Sequence, residues 1–129
     1  MHVFIGGANN GKRKFVTEWL ERQGMTDVSW CSGELPKTAK EGQVLVIDSI
    51  EDYLCQFDLA DEIALATEVF SRLKQLDPIL ILTDMGRGVV PMNKETRQLR
   101  DVCGRLYQLL FKESEHVTRI WYGLSEKLK

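Results

Sequence analysis

Two short runs constrain this chain most: residues 44–47 (VLVI) and 79–82 (ILIL) are unbroken apolar, mostly β-branched stretches. Four residues are too few for a buried helix. The lack of polar alternation means that both faces of each strand are covered, as in a parallel sheet under helices. Residues 3–5, 28–31 and 117–122 add candidate strands. Between the strands the apolar period changes to three and four. Phe15, Val16, Trp19 and Leu20 share a face within about 11–23, and Leu59, Ile63, Ala66, Phe70 and Leu73 within about 58–76. Leu99, Val102, Cys103, Leu106, Leu109 and Leu110 do so within about 93–112. This alternation predicts an α/β, three-layer fold, a mostly parallel sheet with helices on both faces, as a single domain over 1–129.

Composition narrows the partners. Lys+Arg 17 against Asp+Glu 19 leaves a net charge of −2, too little positive charge to expect a nucleic-acid partner. No stretch approaches the roughly 20 apolar residues of a bilayer span. No positive region precedes the MHVFI start, which Gly6 and Gly7 interrupt, so no signal peptide is expected. Cys31, Cys55 and Cys103 lack metal-ligand spacing and read as reduced thiols, mostly packed, in a cytoplasmic protein.

Ligands of such folds bind beyond the carboxyl ends of the strands. That singles out residues 6–12, 48–53 and 83–93. The first, Gly6, Gly7, Ala8, Asn9, Asn10, Gly11 and Lys12, fits G-x-x-x-x-G-K between a strand and a helix, the P-loop NTPase-like pattern. Its glycines let backbone N–H groups curl around phosphate oxygens, the helix start adds partial positive charge, and Lys12 reaches the β and γ phosphates. The next position normally carries a hydroxyl for Mg²⁺. Here it is Arg13, which has no acceptor lone pair. Arg13 either supplies charge in place of the metal or points to solvent. Asp48, ending an apolar run, is either a Mg²⁺ ligand or a cap for the next turn. Glu51 and Asp52 read as a solvated first turn.

The third segment runs Asp84, Met85, Gly86, Arg87, Gly88, Val89, Val90, Pro91, then Asn93, Arg97, Arg100, Asp101, Gly104, Arg105 and Gln108. It resembles the C-terminal half of the adenosylcobinamide kinase/adenosylcobinamide-phosphate guanylyltransferase family, with its E-V-G-x-G-I-V-P loop, an Asn, and a helix bearing R-D-x-x-G-R-x-N-Q. Asp84 stands at the Glu. Pro91, Asn93, Arg100, Asp101, Gly104, Arg105 and Gln108 match, and Tyr107 replaces the second Asn. The N-terminal loop, the strand ending at Asp48 and residues 120–123 (IWYG) extend the likeness over about 1–23 and 43–129.

The resemblance implies a cytosolic homo-oligomer of cobalamin assembly that uses GTP or ATP to phosphorylate a corrinoid, cobinamide. It then transfers GMP through a guanylylated histidine. The family keeps that histidine in a long insertion, here reduced to about 32–43. His2 and His116 stand elsewhere. One expectation is kinase-type transfer with Lys12, Asp48 and Asp84 as catalytic residues and without guanylyl transfer. The alternative is an inactive nucleotide-binding relative acting as a regulatory or partner subunit. Asp84 is a general base or a turn former, Arg87 faces phosphate or solvent, and Arg100, Asp101 and Arg105 read as a salt-bridged helix face.

Overall fold

A computed structural model describes residues 1–7, 11–85 and 93–129. The elements are β1 (His2–Gly6), α1 (Lys12–Arg22), β2 (Val28–Ser32), β3 (Val44–Asp48) and α2 (Ile50–Leu54), then α3 (Glu62–Leu76), β4 (Ile79–Thr83), α4 (Lys94–Glu113), β5 (His116–Trp121) and β6 (Leu124–Lys127). They form one sheet in the order β2-β3-β4-β1-β5-β6. Every neighbouring pair is parallel except β5 with β6.

Successive strand residues point to opposite faces, so each strand feeds two cores. Phe4, Val46, Ile81 and Ile120 pack with Val16 and Leu20 of α1. Val3, Ile47, Leu80, Leu82 and Val117 pack with α2, α3 and α4 on the other side. The expected three layers are present, with α1 the one helix on its face among the described residues. No helix among the described residues is long and apolar enough to cross a membrane.

Several boundaries move for identifiable reasons. The second long helix starts at Glu62 rather than 58, because the Asp61 side chain accepts the Ala64 N–H at 3.1 Å. Leu59 therefore lies before the helix, and Ile63 is 60% exposed. The inward stripe is Leu65, Ala66, Val69, Leu73 and Leu76. Asn93 caps α4 by accepting the Thr96 N–H at 2.8 Å. Two elements had no signal strong enough to read. α2 is only five residues long, and β6 is exposed along its whole length. β6 is held by β5 through a turn whose two central residues, Tyr122 and Gly123, have φ of 50° and 76°, as a tight hairpin requires. Arg105 leaves the expected intrahelical network and bonds Glu62 at 2.6 Å, tying α4 to α3, while Arg100 pairs with Asp101 at 3.7 Å. The three cysteines are free; Cys103 is buried, Cys31 half-buried, and Cys55, against the packed reading, is exposed.

Candidate functional site

Parallel pairing brings the carboxyl ends of β1, β3 and β4 to one edge. Gly6 lies opposite Thr83, and Asp48 opposite Ile81. A Cβ on Gly6 would collide with the Ile120 carbonyl oxygen, so only glycine lets β1 run this close to β5. Gly11 turns the chain into α1 with φ of 68°. The half-buried Lys12 bends back over the loop, its Nζ donating to Gly7 O at 2.6 Å and Gly6 O at 3.2 Å. Burial lowers its pKa, and the nearby Glu51 carboxylate partly offsets this. Ala8, Asn9 and Asn10 lie outside the described residues, as do Gly86, Arg87, Gly88 and Pro91.

A cavity of about 290 Å³ opens at this edge between Lys12, Arg13, Asp48, Ser49 and Thr83. Arg13 does not stray freely into solvent. Although 62% exposed, its side chain places Nη1 3.5 Å from Asp48 Oδ2, and its guanidinium lies 4.7 Å above the centre of the Trp30 ring. Trp30 pairs with Val46 and so shares the α1 face. The capping alternative for Asp48 gains no support. Ser49 is the N-cap of α2, in a left-handed conformation with φ of 55° and without a side-chain cap bond.

These residues do not fit a magnesium ion of the usual kind. Position 13 offers no oxygen, and Asp48 faces a cation already. A dication on Asp48 would meet the like charge of the guanidinium, whose Nη1 lies 3.5 Å from that carboxylate. Asp48 Oδ1 is buried with no hydrogen-bond partner among the described residues, so one acceptor of that carboxylate stays available. Among the described residues no group of three His, Cys, Asp or Glu is placed to hold a metal.

The sequence reading missed Glu51. It is half-buried, and its Oε2 is fully enclosed with no hydrogen-bond partner among the described residues. Burial, with Asp52 and Asp48 nearby, pushes its carboxyl above the usual range, against the pull of its own backbone N–H and of Lys12. It is no solvated first turn, because Ile50, Tyr53 and Leu54 anchor α2 in the core. The only sequence signal was that i, i+3, i+4 apolar spacing.

Asp84 follows β4 and is fixed there from two sides. Its N–H donates to Gly6 O at 2.9 Å, and the buried Tyr107 hydroxyl donates to Thr83 O at 2.9 Å. Burial drives the Tyr107 hydroxyl pKa far up, so it stays a donor, and raises the neighbouring Cys103 thiol to about 12. Asp84 lines a second cavity, about 470 Å³, with Gly6, Gly7, Arg119, Trp121 and Tyr122.

Both histidines lie at the opposite edge. His2 pairs with His116 at the amino ends of β1 and β5, ring centroids 5.3 Å apart. Along β1 that is roughly 13 Å from Gly6. His2 is stacked on Phe4 and bonded to Thr118 Oγ1 at 3.1 Å. Its pKa falls to about 4 through burial, His116 and the N-terminal ammonium.

A 51-residue stretch, 40% of this chain, is 33% identical to the bifunctional adenosylcobalamin biosynthesis protein CobU of Salmonella typhimurium (strain LT2). It covers only 28% of that protein's length. The family model described as cobinamide kinase / cobinamide phosphate guanyltransferase matches residues 29–128. This span takes in β3, α2, β4 and α4, though it begins beyond the 6–13 loop. Since that match covers more than three quarters of the sequence, the chain belongs to the cobinamide kinase / cobinamide phosphate guanyltransferase family.

Proposed function

We propose that this chain binds GTP or ATP through residues 6–13 and transfers the γ-phosphoryl group to a hydroxyl of a cobinamide-type corrinoid, without the guanylyl half of the family's chemistry. The observation that carries this reading is Lys12, gathered into the loop mouth by Gly6 O and Gly7 O with the Glu51 charge behind it. In the transfer, the substrate hydroxyl oxygen bonds to the γ-phosphorus and the bond to the β,γ-bridging oxygen breaks. The nucleoside diphosphate leaves, and the hydroxyl proton passes to the Asp84 carboxylate. Lys12 holds the phosphates. Glu51 acts by keeping Lys12 charged. No step is routed through a divalent cation.

The Arg13–Asp48 pair favours a second reading, nucleotide binding without turnover, in a regulatory or partner subunit. The same reading takes the chain as a cytoplasmic homo-oligomer with residues 1–129 as one domain. The test is incubation with γ-labelled GTP or ATP and cobinamide, with and without Mg²⁺. Labelled corrinoid supports the kinase, binding without transfer supports the second reading, and no binding overturns both. Lys12→Ala weakens nucleotide binding at least tenfold, about 1.4 kcal/mol, by calorimetry.

A further inference from the structure

We infer that Arg13 replaces the divalent cation as counter-charge to the bound phosphates, so that this chain grips a nucleoside triphosphate without a metal. The inference rests on the nucleotide-binding reading above and concerns how the same site is neutralised. Among the described residues, Lys12, Arg13 and Lys14 bring three cations to the 290 Å³ cavity, and Asp48 is the one carboxylate that lines it. A hydroxyl at position 13 would remove one of those charges. Arg13 also rests beside Asp48, the carboxylate that would serve such a metal. It is in the first turn of α1, with its guanidinium over the Trp30 ring at 4.7 Å and 3.5 Å from Asp48 Oδ2.

Neither tether is strong enough to keep the guanidinium from a phosphate. An ion pair this long and this exposed contributes little, so exchanging Asp48 for phosphate oxygens costs little. The planar fork then takes two phosphate oxygens at once, which a lysine does not. Trp30 acts as a positioning residue, keeping the guanidinium at the cavity mouth from below.

The experiment is calorimetry of the full chain with non-hydrolysable GTP and ATP analogues, in Mg²⁺ and in EDTA. The wild-type Kd is expected to differ by less than threefold between the two. Arg13→Ala is expected to bind at least tenfold more weakly in EDTA. Arg13→Ser is expected to bind at least tenfold more tightly in Mg²⁺ than in EDTA. Position 13 is exposed, and circular dichroism verifies that both variants fold. A wild-type affinity that drops tenfold or more in EDTA overturns the inference and leaves nucleotide binding standing. So does an Arg13→Ala protein that binds unchanged in EDTA. No heat in either buffer overturns the nucleotide-binding reading, and this inference with it.

Discussion

Lys12 and Glu51 form the most informative pair of side chains, because each sets the other's charge. Lys12 must be protonated to hold phosphate. Burial lowers its pKa and Glu51 raises it. Glu51→Gln removes only the second influence, so the pKa falls further and the alkaline loss of nucleotide binding moves to lower pH. Binding profiles of the two proteins from pH 7 to 10 check this, and superimposable profiles would show that Glu51 does not act through Lys12. At the far edge, His2 has a pKa of about 4 in the fold against 6.5 when free. Below 6.5 the unfolded chain takes up a proton that the fold resists. Stability is thus full above that value, declines as pH falls toward about 4, and then levels off. Urea unfolding at pH 7.5 and pH 5 should show this loss, and His2→Gln should shrink it. The sequence displayed Lys12 and Asp48 through motif and position. It could not display where Arg13 comes to rest, which depends on an indole 17 positions away, nor the enclosure of Glu51, which depends on how α2 seats in the core.

At the scale of elements, the end of β4 matters most, because it carries Thr83 and Asp84 to the site edge. Tyr107 on α4 clamps it with the 2.9 Å bond to Thr83 O. Tyr107→Phe keeps the ring and deletes that donor. Equilibrium urea unfolding should register a loss of about 1 kcal/mol, with an unchanged dependence on urea concentration. An unchanged midpoint would mean that the clamp contributes nothing. The long elements were legible because their apolar periods are regular and their caps chemical, as Asn93 shows. The inward face of α3 was misread because Asp61 resets its start, and periodicity alone does not say where a helix begins. β6 was illegible for another reason: its four exposed residues are in a strand only because the hairpin at Tyr122 and Gly123 lays them against β5.

For the whole molecule, the sheet sets the chemistry by what it keeps apart. Gly6, Lys12, Asp48 and Asp84 gather at the carboxyl edge, and both histidines gather at the amino edge. On the proposed nucleotide-binding reading, neither His2 nor His116 stands at the carboxyl edge, where a guanylyl group would have to be accepted. Incubation with α-labelled GTP should therefore leave no acid-labile label on the protein after denaturation, as measured by gel autoradiography. Label on His116 would contradict this separation. The layers are unequal as well. Two of the three tryptophans, Trp19 and Trp30, belong to the α1 layer, and the α2–α3–α4 layer has none. The molecule thus carries its own optical probe. A phosphate that takes the place of Asp48 on the guanidinium alters the field over the indole beneath it, so the emission of the unlabelled chain should change colour as the site fills. A Trp30→Phe protein should lose that response.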